Sequence, residues 1–305
     1  MSKRKFSQIA EKSSTKPRQE KSETGLDLDL DLGECKTMPE NINLYFEELN
    51  TIASGSFGRV YAARTTRRGR ALHPGLPSIV AVKIIKPTNI PLLKNELAIL
   101  KNIDLPHSVK YYGCYIQSDM VYIIMELVNG KDLFDFDVGA LNPTEKIHIA
   151  QEVAIGIAEI HEMGIAHRDI KLENVMITTN NEVRIVDYGL SCDMIRRAES
   201  VTCKEHYLGT PGYIDPEVIP LNLKSMQLAD WWSYGQLLAI LFTNNFMGLW
   251  DPKSNKYRSL TLSEIEHIPN ALRQVLVALT RPRTTQRERP SPAEIFAALA
   301  DAATA

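Results

Sequence analysis

One eight-residue run, His167-Arg168-Asp169-Ile170-Lys171-Leu172-Glu173-Asn174, holds a carboxylate, an ammonium and a carboxamide within reach of one another. A second carboxylate follows thirteen residues after Asn174, in Asp187-Tyr188-Gly189. These residue types suit phosphoryl transfer. A carboxylate such as Asp169 can take the proton of an attacking hydroxyl. The side-chain oxygens of Asn174 and Asp187 are hard ligands of the kind Mg²⁺ prefers. Lys171 would bring positive charge beside a transferred phosphoryl group. Such chemistry works by positioning and electrostatic stabilisation, so each charge has to be held in a set place.

The elements that hold these groups can be read from the surrounding pattern. Tyr45–Ala53 and Arg59–Arg64 read as strands around a glycine turn, and the β-branched run Ile79–Ile85 reads as a buried strand. Between them, Thr65–Ser78 carries three arginines, two prolines and two glycines and reads as an exposed loop. A helix over 91–102 and strands near 110–117 and 120–127 complete a small five-stranded sheet. The second half turns helical. Asn142-Pro143 supplies a cap and a proline at the first helical position, followed by apolar residues at Ile147, Ala150, Ala154 and Ile157, with His161 continuing the stripe and Gly164 ending it. Leu228–Thr243 is apolar on nearly all sides, and Ser291-Pro292-Ala293-Glu294 is a capping box. A strand-rich first part followed by a helix-rich second part gives an α+β chain with two lobes.

Composition narrows the classes. The 305 residues are 44% hydrophobic and 24% charged, with a net charge of −2. This near-neutral balance makes no case for nucleic-acid or membrane attraction. Leu237–Phe242 is far shorter than the roughly 20 residues of a membrane span. Lys3, Arg4 and Lys5 have no apolar segment behind them, so a secretory signal is not expected. Cys35, Cys114, Cys192 and Cys203 form no Cys-x-x-Cys pair and read as free thiols in a reducing compartment, without a zinc site. The expected location is cytoplasmic or nuclear. Residues 1–43 read as a disordered, charge-segregated tail. Residues 1–22 hold seven Lys/Arg against two Glu, and residues 23–40 hold six acids against Lys36.

Taken together, the motifs resemble the protein kinase family, serine/threonine type. The run at 167–174 resembles its catalytic loop and Asp187-Tyr188-Gly189 its metal-binding turn, with Tyr where the family usually has Phe. The resemblance spans about residues 44–301. It implies a bilobal protein kinase fold, with a small five-stranded antiparallel N-lobe (44–128) and a mainly helical C-lobe (129–301). It implies ATP and Mg²⁺, with Asp169 as base, Lys171 beside it, and Asn174 and Asp187 as metal ligands. Ala53-Ser54-Gly55-Ser56-Phe57-Gly58-Arg59-Val60 resembles the glycine-rich loop over the ATP phosphates, with Ala53 replacing the first glycine; Ile52 precedes it. Lys83 in Ala81-Val82-Lys83 resembles the phosphate-binding lysine, and Glu96 its helical partner. Met125–Gly130 resembles the hinge, where backbone groups of Glu126 and Val128 would bind adenine, between Val60, Ala81 and Met176. Asp132 would meet the ribose. Leu100, Tyr111, His167 and Tyr188 would form an internal stack, which makes His167 a packing residue.

Further correspondences bear on substrate and control. Lys171 and Thr210 of Gly209-Thr210-Pro211 match the serine/threonine type, so the expected partners are proteins with Ser/Thr acceptors. Glu173 resembles a residue that favours an arginine upstream of the target. Glu217 would pair with Arg289, Asp215 stands where the family usually has Ala, and Asp230 would brace the catalytic loop. Arg168 resembles the residue that binds an activation-segment phosphate, yet His206 stands at the usual acceptor position. Glu205 could supply the negative charge, or Thr202 or Ser200 could accept the phosphate. Three other readings stay open here: a pseudokinase-like ATP-binding scaffold, a dual-specificity kinase, and a small-molecule kinase of related fold.

Overall fold

The structure is a computed structural model that describes residues 32, 35–38, 40–55, 58–193, 195, 203, 209–216, 223–246, 248–281 and 289–304. The β-branched and aromatic runs of the first third pair into one sheet. Its strands are β1 (Lys36–Thr37), β2 (Phe46–Gly55), β3 (Gly58–Thr65), β4 (Ile79–Ile85), β5 (Tyr111–Gln117) and β6 (Met120–Met125), in the order β1-β5-β6-β4-β3-β2. The five expected strands pair antiparallel, and a sixth joins at the edge: β1 runs parallel to β5, with Lys36 opposite Tyr115. In β4 the consecutive residues Val80, Ala81, Val82 and Lys83 are all buried, as a central strand covered on both faces requires.

Three expectations are corrected in this half. Part of the segment read as a disordered tail is placed. Leu32 is buried in the same core cluster as Leu93 and Leu97, Cys35 N–H donates to the Leu32 carbonyl (2.7 Å), and Met38 N–H donates to the Ile116 carbonyl (2.9 Å). The low-complexity composition hid one leucine that finds a core. Secondly, the four cysteines are not free thiols: Cys35 is bonded to Cys114 and Cys192 to Cys203, with Cα atoms 4.6 and 5.3 Å apart. Tertiary packing brings these pairs within disulfide reach, which sequence spacing could not reveal. Thirdly, the expected loop at 65–78 contains helix α1 (Arg67–Leu72). Thr66 caps it by accepting from Gly69 N–H, and Gly69 is packed so closely on the Tyr45 carbonyl that a Cβ would collide with it. The prolines that suggested a loop lie beyond its end.

Helix α2 (Ile90–Asn102) starts at an Asn89 cap and packs beside β5. The second half follows with β7 (Gly130–Asp132), α3 (Pro143–Glu162), β8 (Ile165–Ala166), a 3₁₀ turn at Leu172–Asn174, β9 (Val175–Thr178), β10 (Val183–Ile185) and β11 (Cys192–Asp193). Then come α4 (Leu223–Thr243), β12 (Trp250–Asp251), β13 (Lys256–Tyr257), α5 (Leu262–Ile265), α6 (Asn270–Leu279) and α7 (Pro292–Thr304). The Asn142 cap forms a reciprocal box with Glu145, and Gly164 ends the α3 turn at φ 74°. From Asp230 to Phe242, α4 is buried on all sides. β7, β9 and β10 form a small sheet, and β8 pairs with β11, so the 167–174 run is pinned by a strand at each end. None of the helices among the described residues is long and apolar enough to cross a membrane.

Candidate active site

The loop between β8 and the 3₁₀ turn holds Asp169 buried at 4% exposure, with every side-chain oxygen engaged. Thr210 Oγ1 donates to its Oδ1 at 2.7 Å, Lys171 Nζ donates to its Oδ2 at 2.7 Å, and Asn174 Nδ2 donates to the same oxygen at 3.0 Å. Lys171 also reaches Thr210 Oγ1 at 2.7 Å, closing the ring. Asn174 Nδ2 is committed to Asp169, including its backbone carbonyl at 2.8 Å, which turns the carboxamide oxygen away from that residue. Burial works to lower the Lys171 pKa, but the Asp169 carboxylate outweighs it and holds the ammonium above its usual value.

This loop carries backbone strain. Arg168 sits at φ 68°, a left-handed conformation that costs a non-glycine residue of order 1–3 kcal/mol. Asp230 of α4, fully buried, holds it there: its carboxylate accepts from Arg168 N–H (2.7 Å), His167 N–H (2.8 Å) and His161 Nε2 (2.8 Å). His167 packs its ring on Tyr188, with centroids 5.1 Å apart. Burial pushes its pKa down, so the imidazole is neutral and structural. Leu100 and Tyr188 are buried and Tyr111 half-buried alongside it. The Tyr188 hydroxyl, which needed a partner, finds the Ser108 hydroxyl at 2.7 Å.

The second charged group spans the two halves. Lys83 Nζ of β4 lies 2.6 Å from Glu96 Oε1 of α2 and 3.0 Å from Asp187 Oδ1, which follows β10. Burial opposes the lysine's charge, but the two carboxylates overcome it and raise its pKa well above normal. Burial also works against the Asp187 carboxylate; the Lys83 ammonium prevails and holds its pKa below the usual range. Asp187 is the second strained position, at φ 65°.

These groups border a cavity of about 410 Å³ between the sheet and the β7–β9 region. Ile52, Ala53, Val60, Ala81, Lys83, Glu96, Glu126, Val128, Asp132, Asn174, Met176 and Asp187 line it. Met125 and Leu100 line it too. Glu126 N–H is already donated to the Lys110 carbonyl (2.8 Å), leaving its carbonyl to serve a ligand. Ser54, Gly55 and Gly58 belong to the hairpin above; Gly55 pairs with Gly58, while Ser56 and Phe57 lie outside the described residues. Gly58 has φ 119°, and a Cβ there would strike the Ile84 carbonyl, so this glycine is required. Ala53 pairs with Val60 just after a register shift at Thr51/Ala53, and its backbone needs no left-handed φ, which is how alanine substitutes for glycine there. Asp169, Lys171, Arg168 and Thr210 are not among the lining residues; they form the adjacent rim.

The candidate regulatory residues Ser200 and Thr202 lie outside the described residues, as do Glu205, His206 and Glu217. Arg289 was expected to pair with Glu217. The described partner is Asp215, at 2.6 Å and fully buried, with the guanidinium over the Trp232 ring at 4.7 Å from its centroid. A buried arginine requires a carboxylate beside it, and Asp215 provides one where alanine could not. Sequence reasoning also missed Ser108 and Asn95, neither of which carries a signal outside the folded arrangement.

The family model described as "Protein kinase domain" matches residues 46–297. The human mitogen-activated protein kinase kinase kinase kinase 3 is 30% identical over 194 residues, 62% of this chain and 21% of that protein. The CBL-interacting serine/threonine-protein kinase 24 of Arabidopsis thaliana is 31% identical over 64% of this chain and 43% of its own. The cAMP-dependent protein kinase type 3 of Saccharomyces cerevisiae is 29% identical over 74% of this chain and 53% of its own. The match thus spans between about a fifth and a half of these relatives' lengths.

Proposed function

The chain belongs to the protein kinase domain family, and on that premise we propose that it is an ATP- and Mg²⁺-dependent protein serine/threonine kinase. The observation that carries this reading is the Asp169 carboxylate, clamped by Thr210 and Lys171 and linked through Asn174 to the cavity that Asp187 also lines. An apolar slot with a buried lysine at its inner end suits an adenine nucleotide, and Lys83 would meet its phosphates. Asn174 and Asp187 would hold Mg²⁺, which takes one or two protein oxygens and completes its shell with phosphates and water. When bound, that ion supplies neutralisation of phosphate charge.

The chain's own residues do the rest. Asp169 orients the attacking hydroxyl and receives its proton. Lys171 places a cation beside the phosphoryl group in flight, and Thr210 keeps both in register. The lysine two residues after Asp169, with Thr210 bonded to both, supports Ser/Thr hydroxyls as acceptors.

For substrate sequence, Glu173 supports a preference for arginine upstream of the acceptor. Its Oε2 is buried without a protein partner, and burial raises its pKa. A guanidinium arriving in the cavity would pair with this carboxylate once the side chain turns toward it. For control, the absence of a hydroxyl at His206 supports activity without prior phosphorylation; protein made free of phosphate and inert until another kinase acts on it would refute this.

The deciding experiment is transfer of labelled phosphate from Mg-ATP to a peptide library, beside Asp169→Ala and Asp187→Ala. Transfer to Ser/Thr peptides by the wild type and loss in both variants is expected. No transfer by the wild type under any metal condition sinks the reading.

A further inference from the structure

We propose that Asn95 is a positioning residue for phosphoryl transfer, setting the depth of α2 so that Glu96 meets Lys83. The inference rests on the kinase reading above. Asn95 is fully buried on α2, one residue before Glu96. Buried helix positions are ordinarily apolar, and neighbouring Leu93, Leu97 and Leu100 follow that rule. Asn95 departs from it with one directed bond: Nδ2 donates to the Ser191 carbonyl at 2.6 Å.

Ser191 lies four residues after Asp187, and its hydroxyl donates to the His167 carbonyl at 3.1 Å. Its N–H closes the turn by donating to the Tyr188 carbonyl at 3.1 Å. Asn95 therefore ties the helix to the turn that carries Asp187, and Ser191 ties that turn to the loop that carries Asp169. The only other described polar link between α2 and the turn is the shared lysine, Lys83, bonded to Glu96 and Asp187. Adjacent helix residues point about 100° apart. Fixing Asn95 against Ser191 thus fixes both the rotation and the height at which Glu96 is presented.

The other half of the amide argues that packing alone did not place it. Asn95 Oδ1 is buried without a protein partner. A buried polar atom left unpaired opposes stability; an apolar side chain of the same size would remove that cost but leave the buried Ser191 carbonyl without its donor, so the two changes offset each other in the fold. What such a side chain lacks is the donor to Ser191.

The test compares steady-state kinetics at 25 °C, varying Mg-ATP against a peptide substrate, with thermal unfolding of the same proteins. Asn95→Leu is expected to unfold close to the wild-type temperature, since it removes the unpaired Oδ1 while unpairing the Ser191 carbonyl, yet to lose about tenfold or more in kcat/KM for ATP. Asn95→Asp adds a pH readout. Protonated, its carboxyl can donate to Ser191; ionised, it repels that carbonyl. Burial and Glu96 raise its pKa, so activity relative to wild type should fall as pH rises. Asn95→Leu within twofold of wild type, or an Asn95→Asp profile parallel to wild type, overturns the proposal. Should Asn95→Leu fail to fold, the Asn95→Asp profile decides alone. If the wild type itself transfers no phosphate, the kinase reading fails, and Asn95 is judged by the rise in unfolding temperature with Mg-ATP. An equal rise in wild type and Asn95→Leu then overturns it.

Discussion

The two charged centres of the site are built differently. Around Asp169, the partners Lys171 and Asn174 come from the same loop, Thr210 is the one described side-chain partner from further along the chain, and the loop's strained backbone is held by the Asp230 carboxylate. Around Lys83, the three charges come from β4, from α2 and from the segment after β10, and side chains alone join them. The first centre is local, with two strands and a buried helix fixing it. The second exists only while three separate elements sit in one arrangement. Chemistry that must not vary is placed on the local centre, and the assembled one is where position can be changed.

This contrast can be broken in order of expected effect. Asp169→Asn removes the carboxylate proposed as the base while keeping most of its hydrogen bonds; kcat is expected to fall by about 10³, in the range for loss of general-base catalysis, with KM for ATP changed little. Steady-state kinetics checks this, and a large rise in KM instead would make Asp169 part of the binding machinery. Asp230→Ala leaves two backbone N–H groups and His161 without their acceptor. It is expected to cost about 3–5 kcal/mol of stability, as breaking a buried charged network does, and denaturant unfolding measures it. Glu96→Gln should leave the fold intact and lower kcat/KM for ATP about tenfold to thirtyfold, since Asp187 still pairs with Lys83. A loss of stability as large as that of Asp230→Ala would erase the distinction between the two centres.

The smallest effect is at Glu173, beside Asn174 in the cavity lining. Glu173→Gln is expected to raise KM about tenfold, roughly 1.4 kcal/mol, for peptides with an upstream arginine and to leave arginine-free peptides unchanged. The sign of the pH dependence follows from the raised carboxyl of Glu173. Above its pKa the carboxylate attracts arginine; as pH falls through it the charge is lost, so KM for the arginine peptide rises on acidification. Glu173→Gln should remove that slope.

The local centre was the more legible of the two in the sequence. Asp169, Lys171 and Asn174 lie within six residues, so spacing alone declared them. The assembled centre needed Lys83, Glu96 and Asp187 to be joined across 104 residues, and only the kinase resemblance linked them. What was missed follows the same line. The Cys35–Cys114 bond spans 79 residues, and Leu32 sat inside an acidic repeat with no visible partner. Asn95 carried no sequence signal of its own, because its burial is decided by what packs on α2. Helix α1 was missed for a local reason: three arginines and flanking prolines outweighed a Thr66 cap one residue long.

The Ser108–Tyr188 hydroxyl pair has a consequence in populations. A phenylalanine at 188 would hold its place by packing alone. The tyrosine adds a buried hydrogen bond, which contributes about 1 kcal/mol net. Any arrangement in which this ring leaves its pocket must give up that bond. The ratio of ring-in to ring-out molecules is therefore shifted about fivefold toward the state in which Asp187 stands beside Lys83. The tyrosine of the Asp187-Tyr188-Gly189 turn thus acts as a standing bias toward the assembled site, present before any ligand arrives.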